Sequence, residues 1–251
     1  MPPAGQGILT PRNIEIRDSF DAIARRYDLT NRVISCGVDL HWRKVAVRTF
    51  TDLPRGGRVL DLACGTCDLA LDLLKHRPDA RVVGADLSRA MLDLAARKVP
   101  AALAARGAGA TRGSATVPLV NAPAEALPFA DGAFDGAMIA FGIRNVPDYR
   151  KGLSEMLRVL RPGGRIVVLE FSTPPSRLLW RAYNWYFFHV LPHVGGWLTG
   201  SRQAYRYLTR SVSEFPGAAD FARVMKECGF ASVTCRSMTG GIACVHTGVR
   251  L

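Results

Sequence analysis

Two aspartates and a glycine carry the most chemistry in this chain of 251 residues. The stretch from Val59 to Asp68 reads V-L-D-L-A-C-G-T-C-D, and 25 residues after Asp61 a second apolar run, R-V-V-G-A-D, closes on Asp86. A strand that runs into a small-residue turn and then a helix exposes backbone N–H groups to a ligand. A carboxylate at the end of the next strand can accept both hydroxyls of a ribose. The combination points to an adenosine-bearing cofactor. A dinucleotide fold would need G-x-G-x-x-G so that a pyrophosphate could press on the helix start, but only Gly65 stands in this turn, flanked by Ala63, Cys64 and Cys67. A phosphate ligand is therefore disfavoured.

The pattern D-x-A-x-G-T resembles motif I of the class I methyltransferases, whose ligand S-adenosylmethionine carries a ribose and a zwitterionic methionine but no phosphate. On that resemblance Asp61 organises the turn and helps bind the methionine amine, Gly65 and Thr66 contact the methionine part, and Asp86 with Leu87 holds the ribose.

These residues need a scaffold, and the chain supplies one. From Arg58 onward strands and helices alternate: a strand over 58–62, a helix from Asp68 to Lys75, a strand over 81–86, and a helix capped by Ser88 with Met91, Leu92, Ala95, Ala96 and Val99 inward. A third strand is expected over 117–120, a fourth over 134–141, and a helix from Asp148 to Leu160. The turn R-P-G-G then leads to a fifth strand ending at Phe171. Alternation of this kind demands a parallel sheet with right-handed crossovers. A helix over 218–228 and strands near 230–236 and 242–249 complete a seven-stranded, mostly parallel α/β sheet of the Rossmann-like class. Residues 105–116, rich in Gly, Ala, Ser and Thr, read as a surface loop.

One domain is expected, with 1–55 a helical cap, 56–171 the cofactor-binding core, 172–215 an aromatic-rich insertion and 216–251 the closing helix and strands. The hydrophobic share of 48% is ample for a core, and the net charge of +12 attracts phosphates, whether of nucleic acid or of an anionic membrane surface. Charge alone does not choose between them. No stretch of about 18 uncharged apolar residues is present, and the first residues resemble no signal peptide, so a cytoplasmic protein is expected. Of the six cysteines, Cys64 and Cys67 form a C-x-x-C pair. With no second close pair to complete a zinc tetrad, they read as small buried turn residues and no metal site is expected.

Further segments narrow the resemblance. Y-D-L-T-N-R-V-I-S-C-G-V-D-L-H-W (27–42), F-G-I-R-N-V (141–146), R-V-L-R-P-G-G-R-I-V-V-L-E-F-S (158–172), F-H-V-L-P (188–192), Y-R-Y-L (205–208) and the closing G-G-I-A-C-V-H-T-G are similar to the UbiE/MenG family of quinone C-methyltransferases. That resemblance implies methylation of demethylmenaquinol in menaquinone synthesis and, in some bacteria, of a ubiquinone precursor. It implies S-adenosylmethionine as cofactor and a polyprenylated quinol as partner. Arg144 would hold a phenolate, Asn145 would orient the second ring oxygen, and Tyr27, Asp28 and His41 would close the pocket or relay a proton. Glu170 would hold a neighbouring loop. Asn or Asp usually precedes A-E-x-L-P-F in the family. Here Pro123 stands there, ahead of Ala124, whose N–H can still donate to the adenine ring, and Asn121 could replace the missing acceptor. Cys67 stands where the family has a glycine, Ala140 where it has a serine and Thr30 where it has a methionine. A side chain at 67 costs about 1 kcal/mol if the position needs positive φ.

The aromatic stretch 178–198 suits a polyprenyl tail or contact with the inner face of a membrane, and equally a lid or a homodimer interface. Two other readings stay open: an RNA methyltransferase, against which no N/D-P-P-Y tetrapeptide follows the fourth strand and no RNA-binding module is appended, and an inactive cofactor-binding scaffold.

Overall fold

The computed structural model describes residues 9–24, 28, 32, 35, 37–105, 116–177, 181, 185 and 210–251. Tyr27, Thr30 and nearly all of the aromatic stretch 178–198 lie outside the described residues.

The run R-V-L-D-L forms β1 (Arg58–Leu62), R-V-V-G-A-D forms β2 (Arg81–Asp86), and β3 is the short Leu119–Asn121. Then come β4 (Phe134–Ala140), β5 (Leu160–Phe171), β6 (Phe230–Met238) and β7 (Ala243–Arg250). All seven lie in one sheet in the order β3-β2-β1-β4-β5-β7-β6. The first five are parallel, and β7 runs antiparallel to both β5 and β6. The order reverses between β1 and β4, and in an open α/β sheet the crevice at such a reversal, beyond the carboxyl ends, is where ligands bind.

Helices cover both faces: α1 (Pro11–Ile23), α2 (Val38–Val47), α3 (Asp68–His76), α4 (Arg89–Ala104), α5 (Tyr149–Val159) and α6 (Ala218–Glu227). Alternate strand residues serve opposite faces. Val59, Met138, Val167 and Val245 pack with Trp42, Phe50, Leu73 and Leu92 on one side. Leu60, Ile139, Ile166 and Val168 pack with Leu153, Met156 and Phe221 on the other. Each fully buried large side chain contributes about 1.5–3 kcal/mol, so both faces are anchored.

The third strand and the start of the fifth differ from the sequence expectation, and other ends shift by one or two residues. The third strand lies at 119–121 rather than 117–120. R-P-G-G does not precede β5 but lies inside it, because Leu160 pairs with Phe134 ahead of an irregularity that resumes pairing at Gly136 and Arg165. No described helix is long and apolar enough to cross a membrane.

Candidate functional site

The turn after β1 is built from unusual backbone. Ala63, Gly65 and Cys67 all have positive φ (49°, 53° and 67°), so the chain doubles back tightly before α3 begins. Cys67 N donates to Cys64 O at 2.8 Å and Cys64 N to Ala85 O at 3.1 Å. Asp61, 1% exposed, accepts from Ala70 N at 3.1 Å and so ties the end of β1 to the first turn of α3. Burial pushes its carboxyl well above the usual range.

Asp86 closes β2 with both oxygens engaged by backbone: Gly65 N donates to Oδ2 and Ser88 N to Oδ1, each at 2.8 Å. A carboxylate offers about four lone-pair sites, so each oxygen keeps one for a ribose hydroxyl. Burial raises its pKa to about 6, against the lowering effect of the N–H groups of Ser88 and Gly65. Asn121 donates Nδ2 to the carbonyls of Asp86 and Leu87, both at 2.9 Å, and thereby fixes the strand end.

A cleft opens at the carboxyl ends of β1 to β4. Gly65, Asp86, Leu87, Met91, Ala124, Glu125, Phe141 and Asn145 line it, and α1 walls it with Asn13, Ile16, Arg17 and Phe20. A buried carboxylate beside an apolar wall suits a nucleoside. Two latches hold α1 in place: Asn13 Nδ2 donates to Glu125 Oε1 at 3.3 Å, and Ser88 Oγ donates to Asp21.

Several anticipated residues sit elsewhere. Pro123 borders a neighbouring cavity with Thr10 and Lys151. Asn121, thought able to meet the adenine, does not line the cleft. Thr66 does not line it either: its hydroxyl donates to Asp28 Oδ1 at 2.7 Å and accepts from Lys98 Nζ at 2.9 Å, which makes it a brace behind the turn. His41 stands on the exposed face of α2, away from the cleft lining, because Trp42, Val45 and Ala46 take the buried side of that helix. The structure thus gives no geometry for proton relay by His41.

Arg144 and Asn145 form a short 3-10 turn after β4 and face different cavities. Asn145, 8% exposed, lines the cleft and donates Nδ2 to Phe141 O at 3.3 Å. Arg144 lines a second, more polar cavity of about 840 Å³ with Arg12, Glu15, Tyr149, Arg210 and Glu214, and Val146 and Pro147 border both spaces. Arg144 Nη1 donates to Glu170 Oε1 at 2.8 Å and to Phe141 O at 2.6 Å, and its guanidinium lies 5.3 Å from the Phe171 ring centroid. Its Nε is buried and has no partner among the described residues. Burial raises the Glu170 carboxyl, and the guanidinium opposes that rise.

Beneath the turn lies a charge network that sequence reasoning missed. Arg43, 6% exposed, reaches Asp39 (2.7 Å), Asp72 (3.0 Å) and Asp68 (3.3 Å). Burial lowers the Arg43 pKa, but the surrounding carboxylates outweigh it and the net shift is upward. Glu125 was equally missed, although its place in A-E-A-L-P-F beside Ala124 was a usable signal.

A family model described as the ubiE/COQ5 methyltransferase family matches residues 10–250. The chain is 48% identical over 241 residues to a ubiquinone/menaquinone biosynthesis C-methyltransferase UbiE of Geobacter sulfurreducens, covering 96% of this chain and 90% of that protein. It is 48% identical over 232 residues to a demethylmenaquinone methyltransferase of Thermus thermophilus, covering 92% of this chain and 99% of the relative. Among solved structures, a SAM-dependent methyltransferase of Thermotoga maritima, described as a possible histamine N-methyltransferase, aligns with a TM-score of 0.63 at 20% identity, covering 94% of this chain and all of that one. That likeness shows the fold, the Rossmann-like methyltransferase sheet.

Proposed function

Because the chain belongs to the ubiE/COQ5 methyltransferase family, we propose that it methylates a ring carbon of a quinol, demethylmenaquinol foremost and a ubiquinone-precursor benzoquinol second, with S-adenosylmethionine as donor. The names of the Thermus and Geobacter relatives support the two acceptors. The donor supplies, when bound, an electrophilic methyl group on a sulfonium. Asp86 and Leu87 would take its ribose, Ala124 its base, and the backbone of Gly65 its methionine part.

The chain's own task is to make the acceptor carbon nucleophilic. A phenol ionises near pH ~10, so reaching neutrality requires about 4 kcal/mol of preferential stabilisation of the phenolate. A hydrogen bond from a charged donor contributes about 1.5–3 kcal/mol, and the low-dielectric surroundings add to it. The observation that carries this reading is that the Arg144 guanidinium, held by Glu170, lines a cavity that shares Val146 and Pro147 with the donor cleft, while its Nε–H is buried and unpartnered among the described residues. In this reading an acceptor oxyanion is held by the Arg144 guanidinium while Glu170 keeps that group oriented. Asn145, which lines the donor cleft, would orient a second ring oxygen.

In the same reading residues 172–215 serve as a substrate-side insertion of one domain and the enzyme meets a membrane-borne tail at its periphery; Trp185, 63% exposed, is consistent with that. Purified protein incubated with labelled S-adenosylmethionine tests the assignment, with demethylmenaquinol, the ubiquinone precursor and tRNA offered in parallel. Label in a quinol supports it, and label in RNA alone refutes it. Flotation with anionic vesicles tests the peripheral contact, for which recruitment is expected.

A further inference from the structure

Lys98 brings together three stretches of chain that are remote in sequence. From α4 its Nζ donates to Asp28 Oδ2 at 2.6 Å, to Thr66 Oγ1 at 2.9 Å and to Asp68 Oδ1. All three ammonium donors are thereby used. Thr66 closes the figure by donating its hydroxyl to Asp28 Oδ1 at 2.7 Å. Asp28 belongs to the segment between α1 and α2, Thr66 to the cofactor turn, and Asp68 to the first residue of α3.

We propose that Lys98 is a positioning residue for the donor: its ammonium binds Thr66 of the cofactor turn together with Asp28 and Asp68 and so holds the turn in the form that takes the donor. This rests on the reading of the cleft as the donor site. Lys98 does not line the cleft, so its influence must pass through its neighbours. The route is short. Thr66 follows Gly65, whose N–H holds the Asp86 carboxylate at 2.8 Å, and Asp86 is the ribose ligand of the proposed site. A displacement at Thr66 therefore moves the residue that fixes Asp86.

A neutral side chain cannot replace the ammonium. Asp28 and Asp68 are both carboxylates drawn to one point by Lys98, and without it they face each other across Thr66 as like charges. Asp68 retains Arg43 Nη2 at 3.3 Å, whereas the structure shows no other cation at Asp28 among the described residues. Without Lys98, Asp28 therefore keeps only the Thr66 hydroxyl among its contacts with described residues.

Calorimetry with S-adenosylmethionine and S-adenosylhomocysteine, together with steady-state kinetics, tests this. Lys98→Met is expected to weaken donor binding about tenfold and to raise the donor KM by the same factor, with kcat at saturating donor within about threefold of wild type. Lys98→Arg, which keeps a charged donor, should recover most of the affinity. Adding Asp28→Asn to Lys98→Met should cost little more, since the two act through one tie. Unchanged donor affinity in Lys98→Met, with only a lower melting temperature, would overturn the proposal. So would a fall in kcat at unchanged donor KM. If Lys98→Met does not fold, Asp28→Asn alone carries the test: at least threefold weaker donor binding supports the proposal and unchanged binding overturns it. Absence of donor binding by the wild-type protein would overturn the cleft assignment, and this proposal with it.

Discussion

Glu170 accepts from Arg144 twice, from Nη1 at 2.8 Å and from the backbone N at 3.4 Å, with both side chains nearly inaccessible at 1% and 6%. The pair is neutral as a whole, so Arg144 acts on an acceptor through a directed donor more than through unscreened charge. Lysine keeps the charge but has no Nε–H in a planar fork. Arg144→Lys should therefore lower kcat about 100-fold, the usual effect of losing one oxyanion donor. Donor affinity should stay within about twofold, because Arg144 does not border the donor cleft. Kinetics varied in both substrates, with calorimetry for the donor, separate the two effects. A large loss of donor affinity would place Arg144 in the wrong cavity.

Asp86 makes donor binding dependent on pH. Its carboxyl is raised to about 6 by burial, so the folded protein without donor holds it protonated below that pH. For this group the sign is that stability is fully present below pH about 4 and is lost as pH rises through about 6, a difference of about 3 kcal/mol. Ribose hydroxyls need the carboxylate as acceptor. Donor affinity should then fall about tenfold per pH unit below about 6 and level off above it, as calorimetry from pH 5 to 8 would show. A flat profile would mean that Asp86 is not the ribose ligand.

Arg43 is expected to matter for the fold and not for chemistry. It joins α2 to α3 through Asp68 and Asp72, pairs with Asp39 on its own helix, and lies 6% exposed. Removing one partner of a buried ionic group leaves uncompensated charge and costs about 3–5 kcal/mol. Arg43→Met should lower the melting temperature by roughly 10 °C, at about 2–4 °C per kcal/mol for a chain of this size. Thermal denaturation checks this, and a drop under about 3 °C would show the carboxylates finding other partners.

The parts legible in the sequence were those encoded locally. Apolar runs followed by small residues or aspartate marked β1 and β2, Ser88 and Asp148 marked helix starts by accepting from Met91 N and Lys151 N, and Asp86 and Gly65 meet as the turn pattern implied. What stayed hidden depends on contacts between remote segments. Thr66 read as a cofactor contact because its neighbours at positions 28 and 98 come only with the fold. His41 was legible as a titratable group, but the side of α2 it occupies is decided by Trp42 and Val45, which fill the core. That Arg144 and Asn145, adjacent in sequence, serve separate cavities follows from the 3-10 turn that carries them.

Cys67 satisfies the condition under which its side chain was expected to cost energy: φ is 67° and the residue is fully buried. The penalty, about 1 kcal/mol, is offset by packing at Gly84. A Cβ at Gly84 would lie 2.9 Å from Cys64 Sγ, 3.0 Å from Leu119 Cδ2 and 3.4 Å from Cys67 Sγ, so the two sulfurs fill the space that this glycine leaves. Replacing Cys67 by glycine relieves the backbone but empties that space and loosens the unfolded chain, so no net gain in stability is expected. Gly84→Ala should cost about 1–3 kcal/mol through overpacking. Adding Cys64→Ala removes the nearest sulfur and should restore part of that loss, a coupling visible as non-additive melting temperatures. Strict additivity would mean that the thiols and Gly84 do not share one packed layer, and a rise of more than about 5 °C in Cys67→Gly would mean that the Cys67 sulfur contributes nothing there.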